Sequence, residues 1–354
     1  MVGLLVGLAH LTRADGILLL PIVALAPLLA PRSRTRRQSR WSLVIVPCSL
    51  LLLGYLLVMA PWFLRNVNMI GAPLSPAGAK TLWLTNYDDL FCYHCDLSLH
   101  SYLAWGWPNI LQSKLVALWT NLQRLVAEDL MIFLLPLAVI GLYRLRRRTP
   151  FILATVYLVL IYSVHSLAFT FPGWRGGFFH SSGVLLPFLH VAGVIGLDAA
   201  VRWAARRRRG WRLRQAQAVF TGGLVGMAIL LSLYAFAAKL PAWNSSGKIY
   251  AVVGDWLDAH AAPDDTVVMV GDPPGFWYHT GRPAIVIPNG GTDVLLQVAA
   301  RYHAAYLLLD QNSPAPLRRL YSGAERDARL HLLASWGDVG EETVLYAVTS
   351  QQPP

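Results

Sequence analysis

Charge is scarce in this chain. Only 14% of its 354 residues are Asp, Glu, Lys or Arg, while 55% are hydrophobic and the mean hydropathy is +0.45. That is too apolar for an ordinary soluble domain, and several apolar runs approach the roughly 20 residues that span a bilayer as a helix. Acid is scarcer than base: 19 Asp and Glu stand against 30 Lys and Arg, a formal charge of +11. Such an excess can signal nucleic acid, but here the arginines gather between apolar runs. Arg32, Arg34, Arg36, Arg37 and Arg40 form one cluster, and Arg144, Arg146, Arg147 and Arg148 a second. Arg202, Arg206, Arg207, Arg208, Arg209, Arg212 and Arg214 form a third. That is the pattern of short cytoplasmic loops in a polytopic membrane protein, so no nucleic-acid partner is expected.

Cysteine is scarcer still. Cys48 sits in an apolar run and reads as a small packing residue. Cys92 and Cys95 form one CxxC in "FCYHCD" with no second pair, which is a poor zinc motif. In an extracytoplasmic loop, a local disulfide and two free thiols are both open. No GxGxxG is present: "GDPPGFWYHTG" after a strand-like run reads as a plain strand-to-helix turn rather than a nucleotide loop. No internal repeat is evident, and charges fall at the ends of apolar runs, which argues against a transporter.

Placing the three arginine clusters in the cytoplasm fixes a topology by alternation. Residues 16–31 run inward and 41–60 return outward; 61–127 form a long external loop. Residues 128–143 descend, too short for a full span unless they start earlier or are covered by protein. Residues 150–170 ascend to an external turn, "FPGWRGGFFHSSG"; 183–200 descend and 215–238 ascend, leaving everything after Leu240 outside. Within the long loop, Leu111, Leu115, Leu118, Leu122 and Leu125 recur at helical spacing, with Gln112, Lys114, Asn121 and Arg124 on other faces. Such a helix lies either on the membrane surface or against the protein's own external side.

The tail changes character. "TVVMVGD", "PAIVIP", "AAYLLLD" and "ETVLYAV" read as strands, and "DVLLQVAARYH" as an amphipathic helix. Alternating strands and helices imply a small α/β domain with a largely parallel sheet, long enough to bury its own core. The expected fold is therefore a mainly α-helical polytopic membrane domain, 1–239, followed by a small external α/β domain, 240–354.

Arg13 and Asp15 interrupt the apolar stretch "GLLVGLAHLTRADGILLLP". At mid-bilayer each charge would cost about 2.5–3.5 kcal/mol. A helix hairpin breaking at Arg-Ala-Asp-Gly avoids that and presents a cation at the external lipid boundary. A structural Arg13–Asp15 pair holding the turn is the alternative. "APWFLRN" carries Arg65 at the end of the second apolar run, and "GWRGGFFHSSG" brings Arg175, His180, Ser181 and Ser182 between two others. Each arginine alone could anchor a helix end. Three at one membrane face suit a phosphate or diphosphate headgroup, because guanidinium forks match phosphate oxygens and stay charged.

"GLAHLTRADGILLLP", then "APWFLRNVNMIGAPLSP", then the Arg/His/Ser turn resemble the later part of the GT-C superfamily of polytopic glycosyltransferases. Its protein-mannosyltransferase-like and aminoarabinose-transferase-like branches use lipid-phosphate sugars. The resemblance covers roughly residues 1–238 and rests on loose apolar patterns punctuated by Arg, Pro and Asn. It implies a membrane enzyme that takes a sugar from a polyprenyl-phosphate donor at the extracytoplasmic face, inverts the anomeric centre, and delivers it to a lipid, glycan or protein acceptor. Such chemistry needs a carboxylate base and a cationic or metal site for the leaving phosphate. The resemblance gives Arg13, Arg65 and Arg175 the phosphate side and leaves Asp15, His94, His180 and Ser181 to the substrate or acceptor side.

One feature departs from that family. Its principal acid sits in a first external loop after the first membrane helix, and here no such loop precedes residue 13, as though the N-terminal part were lacking and the chain inactive. The remaining conspicuous external acids are Asp88 and Asp89 in "LTNYDDLFCYHCD". They are candidates for the base or for holding a divalent cation; adjacent carboxylates in a polar loop also cap helices. Glu128 and Asp129 read as capping residues at the start of an apolar segment. The rival function is a non-catalytic membrane-anchored scaffold or sensor whose external α/β domain binds a ligand. It explains the tail but not the arginines.

Overall fold

A computed structural model of the chain describes residues 1–29, 40–93, 95–208, 210–337 and 342–349. Arg32, Arg34, Arg36, Arg37, His94 and Arg209 therefore lie outside the described residues. The chain divides into two compact units, one of Met1–Thr85 with Leu97–Leu231, the other of Asn86–Asp96 with Ser232–Pro354. The sequence-based boundary at 239/240 falls a few residues late, inside the continuous helix Leu213–Ala259. The segment Asn86–Asp96, which reads as part of the long loop, belongs to the second unit. There the Asn289 N–H donates to the Phe91 carbonyl at 2.9 Å, and Tyr93 meets Tyr302 edge-on at 6.4 Å.

Among the described residues, four helical stretches are long and apolar enough to cross a membrane: Val44–Ile70, Thr149–Ala168, Thr170–Ala205 and Leu213–Pro241. Membrane association follows from them. Shorter apolar helices complete the first unit. Helix α1 (Val2–Thr12) and helix α2 (Leu19–Leu29) are joined by a tight 3-10 turn, Ala14–Leu18. Both pack on α3 (Arg40–Ile70). Gly3 lies on Leu51 and Gly7 on Val58, so α1 runs parallel to α3. Cys48 reaches the Ala24 carbonyl, and the tight turn after α1 reverses the chain, so α2 runs antiparallel. The hairpin expected at Arg-Ala-Asp-Gly is therefore present, and Arg13 leaves the helix at φ −150°, ψ 138°.

Three expectations change. Helix α3 continues through Pro61 to Ile70 instead of ending at Ala60. A proline removes only its own donor, a loss that membrane helices tolerate. "FPGWRGGFFHSSG" is helical rather than a turn: Thr170–Pro172, a π segment Gly173–Gly177 and Phe178–Ser182 follow one another, kinked at Gly176, where φ is 135°. The apolar segment after Asp129 breaks at Met131 and Ile132, both with positive φ, before the helix Leu135–Leu145 begins. That short helix is covered by Leu186–Ala205 in parallel contact. A Cβ at Gly141 would lie 1.8 Å from the Ala192 carbonyl oxygen, and one at Gly196 1.8 Å from that of Leu137. Such close backbone approach is how helices associate where lipid removes the hydrophobic drive.

The helix Trp107–Arg124 packs on the protein by its small and polar side. Ile110, Ala117 and Asn121 are buried, and the Tyr162 hydroxyl donates to the Leu118 carbonyl at 2.7 Å. Trp107, Leu111, Leu115, Trp119 and Leu122 face outward.

The second unit holds a five-stranded mixed sheet in the order β2-β1-β3-β5-β4. The strands are β1 (Val267–Val270), β2 (Ala284–Val286), β3 (Ala304–Leu309), β4 (Leu330–Trp336) and β5 (Thr343–Val348). β1 pairs in parallel with β2 and β3, as the alternation of strand and helix implies. β5 and β4 add antiparallel, which corrects the largely parallel sheet. β4, "LHLLASW", is an edge strand with exposed Leu332 and Leu333, so no clean apolar alternation marks it. Successive residues of β1 feed two cores: Met269 packs with Leu295, Leu307 and Leu320, and Val268 and Val270 with Val253, Leu257 and Phe276.

Candidate functional site

The site is built on the hairpin turn. Arg13 Nε donates to Asp15 Oδ1 at 3.1 Å, and its terminal nitrogen reaches Asp15 Oδ2 at 3.4 Å and the Gly177 carbonyl at 3.5 Å. The guanidinium side chain is 44% exposed and the carboxylate 15%. A cation thus stands at the surface with its counter-ion just beneath it.

Among the described residues of this unit, three π-helical segments occur: Leu125–Asp129, Val164–Ala168 and Gly173–Gly177. A π turn inserts one extra residue per turn and recurs at functional sites. The second carries His165 into the bundle. Its Nε2 lies 3.2 Å from Ser181 Oγ and 3.5 Å from Asp15 Oδ2. Ser181 donates to Asp15 Oδ2, and its oxygen is also 2.8 Å from the Gly177 carbonyl. The third π turn closes over the histidine. A Cβ at Gly173 would lie 1.9 Å from the His165 carbonyl oxygen, and one at Gly177 3.1 Å from His165 Nδ1. Arg13, Asp15, His165 and Ser181 therefore form one cluster from three distant parts of the chain.

The arrangement is not a serine-hydrolase triad. That machinery puts the carboxylate on one imidazole nitrogen and the serine on the other. Here both share Nε2, and Nδ1 is buried without a partner among the described residues. The chemistry on offer is a carboxylate backed by an imidazole and a hydroxyl, beside a partly exposed guanidinium. Those are a proton acceptor and an anion holder. No protein family, curated protein or solved structure matches the chain. The site's meaning therefore rests on its own geometry.

The other candidates have these places. Arg175 lies on the third π turn, whose Gly177 carbonyl contacts Arg13, and its guanidinium stacks over Trp174 at 5.3 Å. Arg65 stacks over Trp62 at 5.0 Å, and Asn66 beside it donates to the Pro73 carbonyl. The parallel register of α1 and α3 puts Arg65 at the same end of that pair as Arg13. His180 is exposed, with its ring against Phe179 at 5.4 Å, while Ser181 and Ser182 are buried. Asp88 and Asp89 fall in the second unit. Asn86 accepts from the Asp88 N–H, and Asp89 Oδ2 accepts the Asn86 N–H at 2.8 Å, a capping box on the 3-10 helix Tyr87–Phe91. Cys92 and Cys95 form a disulfide, which resolves the open choice between bridge and free thiols.

Among the described residues, no group of three or more His, Cys, Asp or Glu side chains is placed to hold a metal ion. Asp15 is engaged by Arg13 and Asp89 by its cap, so neither presents an open oxygen cage.

Two residues of this region escape a sequence reading. His165 is a lone histidine in "IYSVHSLAF"; the signal available was an ionisable residue inside an apolar run, which marks function by default. Asp129 does not start a helix. It closes the first π turn, 3% exposed, with Oδ2 unpartnered among the described residues, its carboxyl near the Ser182 hydroxyl and its carbonyl accepting from His190 at 3.0 Å. Burial pushes its carboxyl up to about 6.

Proposed function

We propose that this chain is a membrane glycosyltransferase that moves a sugar from a polyprenyl-phosphate donor to an acceptor hydroxyl at the extracytoplasmic face. The observation that carries the reading is Asp15: a carboxylate at the hairpin turn, gripped by Arg13 on its exposed side and by His165 and Ser181 on its buried side. The resemblance of the surrounding motifs to the GT-C superfamily points the same way.

Arg13 holds the donor phosphate, with Arg65 and Arg175 supplying further positive charge. Asp15, oriented by His165 and Ser181, takes the proton from the acceptor hydroxyl. The acceptor oxygen forms its bond to the anomeric carbon from the face opposite the phosphate. The bond from that carbon to the phosphate oxygen breaks, and its electron pair leaves on the polyprenyl phosphate, where guanidinium charge stabilises it. The anomeric configuration inverts. His180 stands on the exposed side, available to the acceptor. Asp88 and Asp89, on the second unit, remain acceptor-side candidates.

In this reading the arginine clusters face the cytoplasm, the chain crosses the membrane several times, and the α/β unit lies outside. The Cys92–Cys95 disulfide supports that side, because such bridges persist in oxidising compartments. The outward apolar face of Trp107–Arg124 then meets membrane lipid.

The test is sugar release from a polyprenyl-phosphate donor in membranes. Arg13→Gln, Arg65→Gln, Arg175→Gln and Asp15→Asn should each depress turnover. If all four leave it intact, the site is wrong. Impermeant thiol labelling of cysteines placed at 13, 65 and 175 should mark one common side; labelling from opposite sides removes the shared phosphate pocket.

A further inference from the structure

Lys114 lies on the helix Trp107–Arg124 and is turned toward the protein. Its ammonium donates to the Thr170 hydroxyl and sits over the Tyr102 ring, 5.4 Å from the centroid. Thr170 Oγ1 in turn donates to the Ser166 carbonyl at 3.2 Å. Among the described residues, no carboxylate pairs with Lys114. A half-buried ammonium with no counter-ion is unfavourable left alone, and burial pushes its pKa down.

The ring beneath it adds an independent sign. Tyr102 is 8% exposed, and its hydroxyl is buried with no hydrogen-bond partner among the described residues. Buried polar groups are almost always partnered, so an orphan calls for an unseen water, ion or ligand. On the same face of the helix as Lys114, two turns on, Asn121 is fully buried; its Nδ2 donates to Ser166 Oγ at 3.0 Å, and its Oδ1 has no partner among the described residues. The surroundings are aromatic: Trp83 and Trp105 meet Tyr102 at 5.9 and 6.3 Å, and Phe171 meets Trp105 at 6.2 Å. A cation lacking an anion, a phenol lacking an acceptor and an apolar wall are thus gathered in one place.

We infer that Lys114, Tyr102 and Thr170 form an anion subsite, distinct from the Arg13 cluster, that takes the phosphate group of a ligand. Lys114 supplies the charge, Tyr102 donates its unused hydroxyl proton to a phosphate oxygen, and the aromatic wall packs on whatever apolar group the phosphate carries. The ligand is a lipid-linked phosphate or free phosphate. The inference stands on the surroundings of Lys114 and does not depend on the transferase reading.

The experiment uses the full chain in nanodiscs of neutral lipid, with the Arg13→Gln substitution present to silence the first site. Farnesyl phosphate, inorganic phosphate and farnesol are titrated by calorimetry. Binding of a phosphate-bearing probe that weakens at least tenfold on adding Lys114→Gln, weakens severalfold with Tyr102→Phe and survives Lys114→Arg supports the subsite. Farnesyl phosphate alone binding assigns it to lipid; inorganic phosphate binding as well assigns it to the phosphate group by itself. No binding of either phosphate, or binding that Lys114→Gln leaves unchanged while Lys114→Arg confirms a folded chain, overturns it. The transferase reading fails separately, if Arg13→Gln, Arg65→Gln, Arg175→Gln and Asp15→Asn all leave turnover intact.

Discussion

Ser181 and Asp15 stand 166 residues apart in the chain and share a hydrogen bond, with His165 Nε2 within 3.5 Å of both. The contact ties the N-terminal hairpin to the kinked helical segment before Leu186–Ala205. It also divides labour around one carboxylate: Arg13 faces outward, while the serine and histidine hold it from within.

Removing the Asp15 charge while keeping its shape should separate chemistry from folding. Asp15→Asn retains a Ser181 acceptor but cannot take a proton, so turnover on a polyprenyl-phosphate sugar should fall by roughly 100-fold or more. The melting temperature in detergent should move far less. Unchanged turnover would remove Asp15 from the chemistry.

At Arg13 a conservative exchange should not be neutral. Lysine keeps the charge but loses the planar fork that contacts both Asp15 oxygens and the Gly177 carbonyl. Arg13→Lys is expected to lower kcat/KM by about 10- to 150-fold, at the scale of a charge-assisted hydrogen bond of about 1.5–3 kcal/mol. Steady-state kinetics in membranes measures it, and parent-like values would show that charge alone suffices.

Asp129 makes stability depend on pH. Burial is the largest cause of its raised carboxyl pKa, near 6; Glu128 adds to it, and Ser182 and His190 oppose it. From about pH 4 to 6 the folded chain keeps a proton that the unfolded chain has released. This group's contribution therefore declines as pH rises through that window and stays low above it. Asp129→Asn should melt higher than the parent at pH 8, with the gap closing by pH 4.5. A His190→Gln background removes the neighbouring imidazole from the comparison. A gap independent of pH would show that Asp129 does not titrate there.

Backbone contact between Leu135–Leu145 and Leu186–Ala205 leaves no room at Gly196, where a Cβ would meet the Leu137 carbonyl oxygen at 1.8 Å. Gly196→Ala should destabilise the first unit by about 1–3 kcal/mol, the usual range for overpacking. Gly222→Ala, where nothing lies within 4 Å, should leave the melting temperature level or raise it. Equal effects at the two positions would contradict the close pairing.

The cysteines give a direct chemical check. Denatured without reductant, the chain should take up one alkyl group, at Cys48, and after reduction three. Intact-mass measurement reads the difference. Three groups without reductant would mean that Cys92 and Cys95 are free thiols.

The sequence by itself determined the elements whose signals are local. Long apolar runs gave the helices long and apolar enough to cross a membrane, since length and hydropathy are properties of a single segment. A charge pair between two short apolar flanks gave the hairpin, and the strand-like runs gave four of the five strands of the second unit. Only the tertiary structure decided that Arg13, Asp15, His165 and Ser181 meet, because their partnership depends on how α1 and α2 lie against helices more than a hundred residues away. It decided equally that Asn86–Asp96 joins the second unit, that Asp129 is buried rather than a cap, and that Lys114 turns inward while leucines on its helix turn out. Burial and orphaned hydrogen-bonding groups are relations between segments, and no window along one chain can contain them.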